Sequence, residues 1–386
     1  MKKFAGKILL FLAVCLSLWL ANSYTRNELA DRAVVLGLAI DKDQSGFEVT
    51  VEVVAPSGQD QSGGADTKLL SGKGKTIEEA VGDIHRVSGK DPSLAQTGII
   101  LMGEGIKEVN VLSFLGYFTF SDAFKDDVVV AFCEGKAKDV FESASPVEQI
   151  VSFALQDIII TASDKTGGVN NYLQKFAENQ ISPSSASYLS VVKKKEESAS
   201  QDEKGEGKKP SLYDCSSVCV FNKGQYAGEL DETQSKGFAL LSNPSAYASF
   251  VVNSSSNEFG VESEITVGIA SKKISFETLF EDGVPVFKVE FEAKLKRQRT
   301  DASGDVVDFL PESDGEISED AVSQISAETQ KLILAALNGC KEKNCDYMNI
   351  ADLFFKKFGN SWTQYAKNNP DYLNKVFFEQ KIKVSD

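Results

Sequence analysis

The chain has 386 residues, with 41 lysines and arginines against 56 aspartates and glutamates, a formal net charge of −15 and a single histidine. This acidic balance argues against nucleic-acid partners, because binding to a phosphate backbone needs a basic surface. One histidine also leaves little scope for a histidine-based zinc site or a serine–histidine–aspartate triad. The length predicts two or three domains of about 100–200 residues each, and the composition favours a binding or structural protein over an enzyme.

The first 23 residues have the layout of a secretory signal peptide. Three lysines precede an apolar run at residues 8–21, and Ala21 and Ser23 are the small residues that signal peptidase requires for a cut before Tyr24. The apolar run has 14 residues, whereas a bilayer-spanning helix needs about 20. An uncleaved N-terminal membrane anchor is therefore the weaker alternative. Removal of residues 1–23 leaves 38 basic and 56 acidic residues, a net charge of −18.

The N-terminal half alternates strand and helix patterns. The apolar run at residues 33–41 predicts a buried strand. After a hairpin loop, residues 46–54 alternate apolar and polar side chains, which predicts a strand with one buried and one wet face. Thr76 and Glu79 have the spacing of a capping box at the start of a helix. The later predicted elements are strands at 99–102 and 128–132 and helices at 147–155 and 172–179.

Residues 193–210 contain no aromatic or large aliphatic side chain. Such a segment cannot bury enough apolar surface to offset the entropy cost of ordering, so it is predicted to be a flexible linker or loop. It separates an N-terminal α+β region (24–192), which the pattern allows to hold two subdomains, from a C-terminal α+β region (211–386).

The C-terminal region again mixes strands and helices. Residues 286–296 alternate apolar and charged side chains, which predicts a strand in a sheet that is covered on one face. A long helix is predicted over 318–338, with Ser318 as its N-cap and Gly339 as the residue that ends it. The other predicted elements are strands at 213–221, 265–269, 274–279 and 376–384 and a helix at 349–358.

Six cysteines are present, and Cys15 lies within the apolar run of the signal. Cys15 is a poor lipidation site because a valine precedes it and the apolar run continues past it. Cys215 and Cys219 would be about 13 Å apart in a strand, which is too far for a disulfide. Cys340 and Cys345 flank a short polar loop, with the spacing of a small bridge. The odd number left after signal removal predicts at least one free thiol.

The candidate chemical motifs each have a simpler structural interpretation. Residues 74–76 resemble the tail of a phosphate-binding loop but lack its earlier glycine, so helix capping explains them. His85 is interpreted as a surface or structural residue. Residues 41–52 echo a calcium loop but fall on predicted strands, whereas an EF-hand needs a helix there. The sequence therefore predicts no catalytic residue, no metal site and no cofactor.

An aromatic cluster near the C-terminus contains Trp362, Phe358 and Tyr365, together with Phe354 and Phe355. Core packing is the default interpretation of such a cluster. The alternative is an exposed hydrophobic patch that meets a partner protein, and Trp362, Phe358 and Tyr365 are the candidate interface residues.

A series of segments runs in order along the chain. They are RNELADRAVVLGLAID at residues 26–41, GKGKTIEEA at 72–80, IILMGE at 99–104, GKAKDV at 135–140, residues 220–241 with GELD at 228–231, and Cys345-Asp346-Tyr347 followed by a helix and Trp362. Each segment alone is weak, but the colinear series resembles the Ger(x)C family, the C subunits of spore nutrient germinant receptors. The resemblance covers residues 24–384.

The resemblance implies a three-domain α+β ectodomain, with mixed or antiparallel sheets and packed helices, on the outer face of the inner spore membrane. It implies a noncatalytic subunit that acts with two integral-membrane receptor subunits, one A-type and one transporter-like B-type, in nutrient-triggered germination. The family's lipid-bearing cysteine aligns with Ser23, which cannot carry the thioether lipid. Two other classes stay as alternatives. An exported small-solute-binding protein predicts a deep pocket between domains, and an exported hydrolase predicts a catalytic dyad in a cleft.

Overall fold

The computed structural model describes residues 14–17, 32–54, 67–119, 124–143, 148, 150–195, 211–243, 248–255, 262–297 and 317–385. Within these residues, two β-sheets carry helices packed on their faces. The predicted α+β class with mixed sheets is confirmed.

The larger sheet has four parallel strands at its centre and antiparallel hairpins on both sides. Its strands are β1 (Arg32–Asp43), β2 (Gly46–Val54), β3 (Thr67–Gly74), β4 (Asp91–Ser93), β5 (Ile99–Met102), β6 (Val129–Cys133), β7 (Ala186–Lys195), β8 (Leu212–Asn222) and β9 (Gln225–Glu229). The order is β3-β2-β1-β5-β6-β7-β8-β9, and β4 pairs with the start of β1. The parallel strands are β1, β5, β6 and β7. Since both faces of this centre are covered, β5 and β6 are apolar throughout.

Helices cover both faces of the larger sheet. They are α1 (Ile77–Ser88), α2 (Leu112–Thr119), α3 (Ala137–Glu142), α4 (Val151–Thr161) and α5 (Leu173–Ile181). The first, second and fifth share one hydrophobic core with the sheet, and α3 and α4 share another on the opposite face. The helix predicted at 147–155 extends to Thr161 and runs into a π-helical turn at Ala162–Thr166.

Two glycines of β3 explain the GKGKT segment. A Cβ on Gly72 would overlap the carbonyl oxygen of Ala80 in α1, and a Cβ on Gly74 would lie 2.5 Å from the Ala80 nitrogen. Thr76 Oγ1 accepts the Glu79 amide at 3.1 Å, as the capping prediction requires. The Glu79 carboxylate accepts the Lys75 amide instead of the Thr76 amide. The second contact of the predicted capping box is therefore wrong. The segment is a packing and capping motif, in which glycine lets strand and helix approach closely.

The predicted wet face of β2 is wrong for its second half, because α4 packs against it. Thr50 is 0 % and Glu52 is 1 % exposed. Glu52 Oε2 accepts the amide (2.8 Å) and the hydroxyl (2.6 Å) of Ser152, and Oε1 accepts the Val151 amide at 3.2 Å. The carboxylate thus satisfies the free N–H groups at the start of α4 and interacts favourably with the helix dipole. Residues 41–52 form strand and hairpin, not a calcium loop.

The predicted linker starts later than the sequence indicates. Residues 193–195 belong to β7, which pairs with β8 up to Lys195 and Leu212. Residues 196–210 lie outside the described residues. Because β8 and β9 belong to the larger sheet, the predicted division between 24–192 and 211–386 does not coincide with the division into two sheets.

The smaller sheet comprises β10 (Ser249–Ser255), β11 (Glu262–Glu281), β12 (Val284–Arg297) and β13 (Phe377–Ser385), in that order. The first three strands are antiparallel, and β13 runs parallel to β12. The two strands predicted at 265–269 and 274–279 are one strand with a register shift between Ile269 and Ser271. The alternation predicted for β12 is confirmed, with an apolar buried face and a charged exposed face.

Five further helices accompany this sheet: α6 (Glu232–Ser242), α7 (Glu319–Glu342), α8 (Ile350–Phe358), α9 (Asn360–Asn368) and α10 (Tyr372–Lys375). Ser318 Oγ accepts the Ala321 amide at 3.3 Å, which confirms the predicted N-cap of α7. The end predicted at Gly339 is wrong because α7 continues to Glu342. A Cβ on Gly339 would overlap the Tyr347 hydroxyl oxygen, so glycine serves close packing inside the helix. The hydrophobic core beneath the smaller sheet also includes Val218 of β8, a strand of the larger sheet, so this core is shared by both sheets.

Five cysteines of the described residues are buried free thiols, and Cys15 is exposed. The spacing of Cys340 and Cys345 left a small bridge open, but both are free thiols, and Cys345 Sγ donates to the Phe221 carbonyl oxygen at 3.4 Å. Burial raises the pKa of the Cys215 thiol to about 12. Since the thiolate is the reactive form, buried thiols with raised pKa values are inert.

We therefore expect that the chain without its predicted signal peptide, and so without Cys15, consumes no equivalent of a thiol reagent such as DTNB over minutes at pH 8. After unfolding in guanidinium chloride, all five remaining cysteines should react. Absorbance at the thionitrobenzoate band measures both values. Rapid native-state reaction, or fewer than five thiols after unfolding, would contradict five buried and unbridged cysteines.

Candidate functional site

The C-terminal ends of the parallel strands β1, β5 and β6 meet at one edge of the larger sheet. Asp41 of β1, Gly103 and Glu104 after β5, and Gly135 after β6 lie there. All four belong to segments that carry the family resemblance. Ligands of open α/β sheets bind at such edges, which makes this edge the first candidate.

Asp41 is 8 % exposed and caps α3. Its Oδ1 accepts the Ala137 amide at 2.8 Å, and its Oδ2 accepts the Lys138 amide at 2.9 Å. A Cβ on Gly103 would overlap Asp41 Oδ1, so glycine makes room for this carboxylate. Burial raises the pKa of Asp41, and the two amide hydrogen bonds oppose that rise. Both oxygens are thus occupied in holding the fold.

The charged side chains around Asp41 pair with each other. Although burial alone would raise the pKa of Glu48, the ammonium group of Lys138 lowers it. The ion pairs are Lys138–Glu48 at 2.8 Å, Lys107–Glu104 at 2.9 Å and Lys193–Glu229 at 2.8 Å. In the described part of the chain, no group of three or more histidine, cysteine, aspartate or glutamate side chains could hold a metal ion. These contacts position the loops that follow β5 and β6.

His85 lies on the surface, as the sequence predicts. Its side chain is 57 % exposed, and its Nδ1 lies 2.8 Å from Asp91 Oδ1. The contact joins the last turn of α1 to β4.

Most of the aromatic cluster near the C-terminus belongs to the core, whereas Phe355 is exposed. Trp362 is 1 % exposed and stacks on Phe354, with ring centroids 4.3 Å apart and an interplanar angle of 19°. Tyr365 also stacks on Trp362 at 5.4 Å, and Phe280 of β11 meets Phe358 edge-on at 5.2 Å. The core interpretation accounts for Trp362. A partner contact through the half-buried Phe358 and Tyr365 stays a prediction.

The Cys345-Asp346-Tyr347 segment forms a buried polar junction at the start of α8. Asp346 Oδ1 accepts the Ile350 amide at 2.8 Å. Its Oδ2 accepts the Ala351 amide at 2.7 Å and the Tyr372 hydroxyl at 2.8 Å. The residue is 2 % exposed, and burial raises the pKa of Asp346 to about 6 against the effect of these hydrogen bonds.

A second carboxylate at this junction ties α8 to the larger sheet. Asp352 Oδ2 accepts the Ser182 hydroxyl at 2.9 Å and the Ser184 amide at 3.3 Å. The Asp352 amide in turn donates to the Ser184 hydroxyl at 3.2 Å. Since both serines lie between α5 and β7, these hydrogen bonds fix the two sheets relative to each other.

The surface of the described residues has several open grooves of ligand size. One, of about 570 Å³, lies between α6, β10 and α7. Another, of about 420 Å³, lies between α4 and the start of β8. Sequence reasoning missed both, because each is lined by segments that are distant along the chain. The alternative of a solute-binding protein predicts a deep pocket between domains, and these grooves are open instead.

Two sequence predictions concern membrane attachment. Cys15 lies in the short described helical segment 14–17, whereas Ser23 lies outside the described residues. Across the described ranges, no helix combines the length and the apolar character needed to cross a bilayer.

Comparison with known proteins identifies the class to which this fold belongs. Residues 25–194 match the spore germination protein N-terminal domain, and residues 216–385 match the domain described as "Spore germination B3/GerAC like, C-terminal". The chain therefore belongs to this family of spore germination proteins, and the resemblance to germinant receptor C subunits is confirmed.

Individual relatives are distant in sequence. The chain is 22 % identical over 302 residues to YfkR of Bacillus subtilis (strain 168), which is named as a spore germination protein, and the match covers 76 % of this chain and 74 % of the relative. The crystal structure of the GerBC protein is 17 % identical with a TM-score of 0.45, and the match covers 91 % of this chain and 97 % of that one.

Proposed function

We propose that this chain is a noncatalytic subunit of a spore germinant receptor at the outer face of the inner spore membrane, needed for nutrient-triggered germination. The observation that carries the proposal is the pair of family matches over residues 25–194 and 216–385. The chemistry of the described residues agrees with it. The buried carboxylates Asp41, Glu52 and Asp346 each accept backbone amides, which suits a role in holding the fold rather than in proton transfer.

The proposal includes two integral-membrane partners, an A-type and a transporter-like B-type receptor subunit. The predicted signal peptide or N-terminal anchor supports export across the membrane. Because Ser23 replaces the family's lipid-bearing cysteine, attachment to the membrane depends on an uncleaved anchor or on these partners. A subunit of this kind acts by binding, so its surface matters more than any single reactive group.

Deletion of the gene tests this function. We expect mutant spores to lose the response to at least one nutrient, measured as the fall in optical density of a spore suspension. Germination by exogenous calcium dipicolinate should be unchanged, and a chromosomal copy of the full chain should restore the nutrient response. A normal response to every nutrient, in a strain without other germinant receptors, would contradict the proposal.

A further inference from the structure

The groove between α4 and the start of β8 has the size and lining of a small-molecule site. Its volume of about 420 Å³ falls in the range of about 300–1,000 Å³ that is typical of ligand pockets. Leu155, Ala162 and Cys215 line it and are 1 %, 7 % and 2 % exposed. The half-buried Ile158 and the exposed Leu212 continue this apolar lining towards solvent.

Packed elements shape this groove. The start of α4 is held by the buried Glu52 carboxylate, as described above. On the other side, the Tyr213 hydroxyl of β8 and the Ser143 hydroxyl that follows α3 are hydrogen-bonded at 2.7 Å. At its far end α4 passes into the π-helical turn Ala162–Thr166, and such turns are frequent at functional sites. The groove is therefore formed before any ligand arrives.

The rim of the groove is acidic. Asp157 of α4 and Asp214 of β8 are exposed and line the groove from the helix side and the strand side. Glu148 is a third carboxylate in the lining. The described residues that form this groove include no lysine, arginine or histidine. An apolar floor between carboxylates is complementary to a ligand with an apolar body and a cationic head.

Residues 196–210 lead to Ser211 in the groove lining, and they contain no aromatic or large aliphatic side chain that could cover the apolar floor. We propose that the α4–β8 groove binds a free small hydrophobic amine, with its aromatic or aliphatic body on the apolar floor and its ammonium group between Asp157 and Asp214. This goes beyond the subunit role proposed above, because it assigns the chain a ligand site of its own.

Three probes with one ring system test the proposal on the exported, purified chain. The cation is 2-(1-naphthyl)ethylamine, the neutral match is 2-(1-naphthyl)ethanol and the anion is 1-naphthylacetate. Isothermal titration at pH 7 and low salt measures each dissociation constant. We expect the amine to bind about fivefold more tightly than the alcohol, because an exposed ion pair contributes only weakly to affinity. The acid should bind most weakly, because its carboxylate is repelled by those of the groove. Equal affinity for all three probes, or no amine binding at millimolar concentration, would overturn the proposal.

Matched variants locate the binding. Asp157→Asn combined with Asp214→Asn should remove the preference for the amine over the alcohol. The control, Glu108→Gln combined with Asp282→Asn, changes the net charge equally at exposed sites outside the groove and should retain the preference. Loss of the preference in both double variants, or in neither, would assign the binding to the overall charge or to another place and overturn the proposal.

A third variant changes both the apolar wall of the groove and its charge. Leu212→Lys places an ammonium group at the exposed groove wall, where it can pair with the same carboxylates, and should weaken amine binding about tenfold. Thermal unfolding checks that each variant is folded. All these measurements use the isolated chain, so their failure would leave the germination phenotype, and the subunit role, as a separate question.

Discussion

Replacement of Gly237 by alanine is expected to lower the free energy of unfolding by about 3 kcal/mol, at the upper end of the cost of overpacking. Gly237 lies in α6, where a Cβ would be 2.6 Å from the carbonyl carbon of Leu332 in α7 and closer still to its oxygen. Because these are backbone atoms, no side-chain rotation can relieve the overlap. The two helices would have to move apart, which opens gaps in a core that packs at crystal-like density.

Gly82→Ala is the matched control for this substitution. Gly82 lies in α1, and a Cβ there would meet nothing within 4 Å. Since alanine has a higher helix propensity than glycine by about 1 kcal/mol, Gly82→Ala should stabilise the protein by up to that amount. Urea unfolding measures both free energies, provided that the m-value is unchanged. A neutral Gly237→Ala substitution would contradict the close approach of α6 and α7.

Replacement of Asp346 by alanine is expected to destabilise the protein by about 3–5 kcal/mol. The carboxylate accepts the Ile350 and Ala351 amides and the Tyr372 hydroxyl. Each buried donor left without an acceptor costs about 1–3 kcal/mol, and the 2 % exposure of the site limits replacement by water. Urea unfolding at pH 7, where the folded side chain is mainly ionised, measures the difference. A loss of less than about 1 kcal/mol would contradict the role of Asp346 as the acceptor at this junction.

The same carboxylate predicts a pH dependence of stability. Burial raises the pKa of folded Asp346 to about 6 from an ordinary value of 3.8, so the folded state binds this proton more tightly than the unfolded chain. The resulting stabilisation is fully present below about pH 4 and is lost as the pH rises through about 6. Relative to Asp346→Asn, which does not titrate, the native protein should lose about 2 kcal/mol between pH 4 and pH 7.

Unfolding of both proteins by urea at pH 4, 5, 6 and 7 measures this difference. Other groups with raised pKa values, such as Asp41, are common to both proteins, so their contributions cancel in the comparison. A difference between the two proteins that does not change with pH would contradict the raised pKa of Asp346.

The segments that identify the family are positions on which the fold depends. Gly72 and Gly74 allow α1 to approach β3, and Gly103 makes room for the Asp41 carboxylate that caps α3. Asp346 holds the start of α8. A match at such positions therefore predicts the backbone of this chain well. It carries little information about a ligand, because the α4–β8 groove is lined by residues outside those segments.

Local sequence by itself determined the signal-like N-terminus, the alternation of β12, the N-caps at Thr76 and Ser318, and the α+β class. These features depend on residues within a few positions of each other, so periodicity and capping chemistry predict them. The same reasoning placed the end of α7 at Gly339 and divided β11 in two. Both errors arose because glycine and polar residues mark chain breaks locally, whereas here tertiary packing against Tyr347 and pairing with β12 preserve the elements.

Only the tertiary structure decided which polar residues are buried and which surfaces are concave. Glu52 alternates like a wet-face residue but caps a helix about 100 positions later. Asp346 looks like a loop residue but becomes buried between α8 and Tyr372. Burial and pKa depend on which distant segments surround a side chain, and the α4–β8 groove exists only where two such segments meet. The composition favoured a binding or structural protein, and only the packed structure shows where its surface is concave.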